Sequence, residues 1–211
     1  MLSLRESFNE VFRKFSATES EVSKLWEEIE TRYSEPQRYY HTLEHLSYFL
    51  RRLTEFRDRI GDWQMILVAM FYHDIVYDPK DSQNEENSAI LARERVGSLG
   101  ISPDRMEYCR NLILATKAHG SASDFDTKVF LDCDLSILGA DRESYSKYAS
   151  HIRREYGIYP DGVYIPGRKK VLEHFLGMDF IFKTEEYRDK REKQARENLT
   201  WELGNLEAKN T

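Results

Sequence analysis

The stretch Met65-Ile66-Leu67-Val68-Ala69-Met70-Phe71-Tyr72-His73-Asp74 decides how the rest of the chain is read. A run of apolar and aromatic residues ends in an adjacent histidine and aspartate. The run is too short to span a bilayer, which takes roughly 20 apolar residues. It reads as a buried helix in a globular core. A His-Asp pair closing such a helix costs free energy unless both groups are satisfied. A metal ion satisfies both at once. So does a hydrogen bond from the imidazole to the carboxylate, and the choice depends on what the neighbouring segments contribute.

Outward from that run, almost every segment has a helical period. On the N-terminal side, Leu4, Phe8, Val11, Phe12 and Phe15 form one apolar stripe. Thr18 with Glu21 has capping-box spacing and opens a helix through Val22, Leu25, Trp26, Ile29 and Tyr33. Pro36 interrupts the chain. The next periodic segment starts near Tyr39 and carries Leu43, Leu46, Phe49, Leu50, Leu53 and Phe56 as far as Gly61. Asp62 is placed to cap the central helix. On the C-terminal side, residues 75–84 read as a loop, and Ser82 with Glu85 repeats the capping-box spacing before a helix containing Ile90, Leu91 and Val96. Ser102-Pro103 is a start signal for a helix that runs to His119-Gly120. Further helices begin near Asp124 and at Asp141, residues 158–167 read as irregular, Val171–Phe182 reads as helical, and Thr184 opens a last, charged helix. No alternating strand pattern and no repeat occurs. The predicted fold class is all-α: one helical domain over 1–211, with a core at about 20–157 and a C-terminal helical extension at about 158–208.

Composition narrows the function classes. The 211 residues are 32% charged and 40% hydrophobic, as in a soluble globular protein. Lys plus Arg number 31 against 37 Asp plus Glu, a net charge of −6 that weighs against a nucleic-acid surface. The opening MLSLRESFNEVFRKF is charged throughout and lacks a signal-peptide core. Cys109 and Cys133 sit in apolar helical contexts and read as buried free thiols. These features together predict a cytoplasmic protein with no membrane partner, its oligomeric state open.

Imidazoles and carboxylates gather in separate segments: His41 with His45, His73 with Asp74, His119, and Asp132 with Asp134. His41 and His45 stand at i,i+4 and would share a helical face, whereas Asp132 and Asp134 would point apart. A mixed set of imidazole and carboxylate ligands suits a divalent ion such as Mn, Fe, Co, Ni, Zn or Mg rather than a thiolate-rich structural zinc site. A metal in such a site makes bound water more acidic and supplies a nucleophile near neutral pH.

In order along a helical chain, Tyr40-His41-Thr42-Leu43-Glu44-His45-Leu46, Tyr72-His73-Asp74, Asn84-Glu85-Glu86-Asn87-Ser88-Ala89 and Asp132-Cys133-Asp134-Leu135-Ser136-Ile137-Leu138-Gly139 carry a family likeness. They resemble the HD-domain superfamily of metal-dependent phosphohydrolases and, more narrowly, a bacterial subgroup of predicted HD phosphohydrolases. The resemblance continues through Arg154-Glu155-Tyr156, Gly167-Arg168 and Glu192 to Leu199, so it spans about 38–203. It implies metal ligands His41, His73, Asp74 and Asp134, with His45 facing the same pocket one turn on and Asp132 behind the ligands. His41 matches the first position of the family pattern, and Asp-Leu-x-x-Leu-Gly usually follows the last ligand in similar proteins. Thr42 stands where the subgroup usually has Asn.

The remaining candidates have a functional and a plain reading. Glu85 and Glu86 are general acid–base candidates or ordinary capping charge. His119 is a catalytic or substrate-contacting donor, or a helix C-terminal cap. Lys117, Arg168 and Arg196 are candidate phosphate binders or members of ion pairs. The resemblance implies hydrolysis of a small phosphorylated substrate or nucleotide (a phosphomonoester, phosphodiester or nucleoside phosphate). A non-catalytic metal-binding regulator is the rival, as is another HD chemistry such as oxygenation or hydration. A diiron centre in similar proteins needs two further histidines before the last Asp. Only His119 lies there, which points to one metal, or at most to an incomplete second site involving His45.

Overall fold

The computed structural model describes residues 3–15 and 17–208. Every regular element among them is helical, so the fold class is all-α. They fall into two compact units, Met1–Phe130 and Leu131–Thr211.

The first unit is built around α4 (Trp63–Tyr72), whose residues Met65–Tyr72 are all buried. A helix apolar on every side needs partners on every side. Here α1 (Leu4–Arg13), α3 (Leu43–Thr54), α5 (Asn84–Val96) and α6 (Pro103–Ala115) pack against it, and α2 (Glu19–Arg32) packs on α1. Asp62 caps α4 as its spacing predicts, accepting the Met65 N–H at 3.1 Å. The Thr18–Glu21 capping box is formed at the start of α2.

Three local expectations fail in this unit. The helix expected from Tyr39 begins only at Leu43, because Thr42, with φ −118° and ψ 179°, is its extended N-cap. His41 therefore precedes the helix, and the shared-face reading of His41 and His45 does not apply. Ser82 does not cap α5; that helix starts at Asn84 with no side-chain cap. The helix expected to reach His119 ends at Ala115. His119 takes a left-handed φ of 47° and its N–H closes the turn onto the Ala115 carbonyl at 3.2 Å.

The second unit contains α8 (Arg142–Glu155), α9 (Asp161–Leu176), the short α10 (Glu185–Tyr187) and α11 (Lys193–Ala208), entered through a π-helical turn at Arg188–Glu192. The unit boundary lies inside α7 (Phe125–Asp134). The stretch 158–167 is not irregular: α9 starts at Asp161 behind Pro160 and runs through Pro166. Residues 132–157 belong with the C-terminus because α11 packs on the 3₁₀ turn Leu135–Gly139, on α8 and on α9. Asn198 fixes this by donating to the Leu138 and Ala140 carbonyls, both at 2.8 Å.

Candidate metal centre

Helices α3 and α4 bring three ligand atoms together. His45 lies in the first turn of α3 and is buried; His73 follows the last residue of α4 and is 1% exposed. His73 Nε2 is 3.2 Å from His45 Nε2 and 3.0 Å from Asp74 Oδ2. Ligand atoms of His45, His73 and Asp74 all lie within 4.8 Å of one another. His41 Nε2 is 3.8 Å from Asp74 Oδ2, at the edge of this group. The geometry thus gathers His45 with His73 and Asp74, where the resemblance gives the first ligand to His41.

The tautomer of His73 follows from its other nitrogen. Nδ1 lies 2.8 Å from the Met70 carbonyl, which can only accept, so Nδ1 carries the proton. In a neutral ring Nε2 then presents a lone pair to a carboxylate oxygen and to a second imidazole nitrogen. The contact with Asp74 Oδ2 at 3.0 Å then sets two acceptors against each other, which repel unless a proton on His73 or a metal lies between them. His45 Nε2 meets His73 as an N–H donor or as a further lone pair according to its own tautomer. A ligating histidine whose other nitrogen donates to a backbone carbonyl is the usual metal-site arrangement.

The surroundings hold these groups in place. Phe49 stands edge-on to the His73 ring at 5.4 Å and Phe130 does so at 6.2 Å. Tyr77 lies 4.4 Å from the His41 ring. Arg38, 5% exposed, donates to the Asp74 carbonyl at 2.7 Å, the Ile75 carbonyl at 2.9 Å and the His41 carbonyl at 3.3 Å. The Asp74 N–H donates to the Tyr33 hydroxyl at 3.3 Å, and Ser88 Oγ accepts the Val76 N–H at 3.1 Å. Arg38, Tyr33, Tyr77 and Ser88 have no metal-ligand or catalytic spacing in the sequence. Only a contact between segments far apart in the chain assigns them to the site.

Glu85 and Glu86, in the first turn of α5, divide their roles. Burial raises the Glu85 carboxyl above its ordinary value, and the Asp74 charge pushes the same way. Glu86 is held below its ordinary value by a hydrogen bond from Lys117, 2.5 Å away. Lys117 also donates to the Ser82 carbonyl at 2.7 Å, so it ties α5 and its preceding loop to the end of α6.

Of the two readings given to Arg168 and Arg196, the structure places both in ion pairs. Arg168 lies within α9, 8% exposed, and makes a bidentate pair with Glu202 at 2.7 and 2.9 Å. Arg196 pairs with Glu192 at 2.8 Å and donates to the Leu176, Met178 and Asp179 carbonyls. The Asp132 carboxylate accepts the Lys183 and Thr184 N–H groups and the Thr184 hydroxyl. Asp134 ends α7 in the second unit and is half-buried.

No family model, curated protein or solved structure matches the chain. Among the described residues, no helix is long and apolar enough to cross a membrane.

Proposed function

We propose that the chain is a metal-dependent phosphohydrolase of the HD type whose divalent ion is held by His45, His73 and Asp74, with His41 beside them. The observation that carries this reading is the facing of His73 Nε2 onto Asp74 Oδ2 and His45 Nε2 while Nδ1 is committed to the Met70 carbonyl. The nitrogen and oxygen donors fit Mn, Fe, Co, Ni, Zn or Mg. A divalent ion there supplies Lewis acidity toward a phosphoryl oxygen and makes a coordinated water more acidic.

The chain's own groups do the rest. Two neutral imidazoles and one carboxylate cancel only one unit of a divalent charge, which leaves attraction for a small phosphorylated substrate or nucleotide. Glu85, its carboxyl raised first by burial and further by the Asp74 charge, is the general acid–base candidate. Lys117 and Glu86 hold the first turn of α5, and with it Glu85, in position. Asp134 as a further ligand, and His119 as a substrate contact, rest on the sequence pattern alone.

The test is metal-depleted protein reloaded with single ions, its content read by elemental analysis, then screened on phosphomonoesters, phosphodiesters and nucleotides. About one ion per chain is expected, with turnover for at least one ion, and its loss in His73→Ala. Full metal retention in that variant would reject the site. Bound metal without turnover under any ion would reject the hydrolase and leave the metal.

A further inference from the structure

The first unit contains a cavity of about 380 Å³ that the metal centre does not use. It opens between α1, the end of α3 and the start of α4. Its floor is apolar and buried: Val11, Leu50 and Leu67. Trp63 lines it as well, and the Arg57 guanidinium lies 5.3 Å from the Trp63 ring centroid. Lys14 and Arg57 stand on its rim on either side of Glu10, whose Oε1 is 3.7 Å from one and 3.9 Å from the other.

We infer that this cavity is a second small-molecule site and that it takes a planar aromatic monoanion. The size is at the lower end of ligand pockets, which run at about 300–1,000 Å³, so one or two rings fit. An apolar floor of Val11, Leu50 and Leu67 next to an indole favours an aromatic body. Two cations and one carboxylate on the rim leave one net positive charge, which selects an anion and disfavours a cation. The guanidinium stands over the indole and offers a charged donor fork at the edge of the apolar floor, where the anionic group of such a ligand would sit.

The site is separate from the metal centre. Both α3 and α4 carry cavity residues at one end and His45 or His73 at the other. The 10 residues of α4 put about 15 Å between its ends at roughly 1.5 Å per residue. The inference does not rest on the metal.

The test is calorimetric titration of the full chain with indole-3-acetate, with indole and tryptamine as neutral and cationic comparisons. Indole-3-acetate should bind with a Kd at or below about 1 mM, indole about 10-fold more weakly, and tryptamine not measurably. Arg57→Gln should lower indole-3-acetate affinity about 10-fold. Glu10→Gln, which removes the competing carboxylate, should raise it severalfold. Asp74→Asn, at the other end of α4, should leave it unchanged. Absence of saturable binding by wild type would overturn the site. Equal binding of indole and indole-3-acetate, or no response to either rim substitution, would overturn the anion assignment.

Discussion

At the scale of single residues, Arg38 has the widest reach around the metal centre. Its guanidinium holds the successive carbonyls of Asp74 and Ile75 and the His41 carbonyl, and it pairs with Glu35 at 3.3 Å. Arg38→Met keeps the side chain's bulk and removes every donor. Each buried carbonyl left without a partner costs about 1–3 kcal/mol, so a loss of about 2–4 kcal/mol is expected in chemical denaturation. Metal affinity should fall on the order of 10- to 100-fold, as it does when groups behind the ligands are changed. Lower stability with unaltered metal affinity would reduce Arg38 to a fold residue. The sequence shows His73 and Asp74 as a pair by adjacency alone, and the structure brings His45 to them, where the resemblance gives the ligand to His41 and only a place in the pocket to His45. It does not show Arg38, since an arginine in a polar turn has no periodic or motif signal, and its partners lie 36 and 37 residues away. Nor does it separate His41 from His45, because the i,i+4 argument presumes a helix that Thr42 delays.

At the scale of elements, α4 was legible almost in full: an all-apolar run can only be buried, and Asp62 stands where a cap belongs. What the sequence did not reveal is that Asp62 has a second partner. Arg105, from α6, reaches it with a bidentate pair at 2.6 and 2.8 Å. Burial alone would raise the Asp62 carboxyl; the Arg105 hydrogen bonds and the Met65 N–H outweigh it and hold the group below its ordinary value. A carboxyl depressed in the folded state contributes stability that is present above the ordinary aspartate pKa of about 3.9. That contribution is lost as pH falls through the lower folded value. Asp62→Ala should therefore cost about 1–2 kcal/mol at pH 7, from the cap and the partly exposed pair together. The difference from wild type should narrow below about pH 4. Parallel denaturation curves across pH check it, and a gap that widens in acid would show that the pair does not stabilise the ionised form. The opposite case is α9, where Pro160, Pro166 and two glycines hid a helix. Pro160 serves as its N-cap, and sequence rules read the second proline as a break.

At the scale of the whole molecule, the all-α class was readable because α1, α2, α3 and α8 carry a 3.6-residue period and α4 is a single apolar run with a cap before it. The division at Phe130 was not, because it depends on pairings between distant residues: Asp132 with Thr184, Asn198 with Leu138, Arg168 with Glu202. The last pairing makes Arg168 a member of an ion pair, one of the two readings its sequence position allows. Glu202 accepts both arms of the guanidinium and also the Tyr145 hydroxyl at 2.5 Å, and all three residues are buried. Removing one partner of such a pair leaves an uncompensated buried charge, at a cost of about 3–5 kcal/mol. Arg168→Ala is therefore expected to act on the fold of the second unit, with hydrogen-exchange protection lost across α9 and α11. Arg168→Met with Glu202→Leu removes both charges and should recover much of that loss, because no buried charge is left alone. Recovery should be incomplete, since the Tyr145 hydroxyl still lacks its acceptor. A phosphate-binding arginine would behave differently: Arg168→Ala would keep wild-type protection and lose phosphoester turnover, and the second substitution would restore nothing. Exchange and turnover measured on the same single and double variants separate the two, and the buried pair predicts the first pattern.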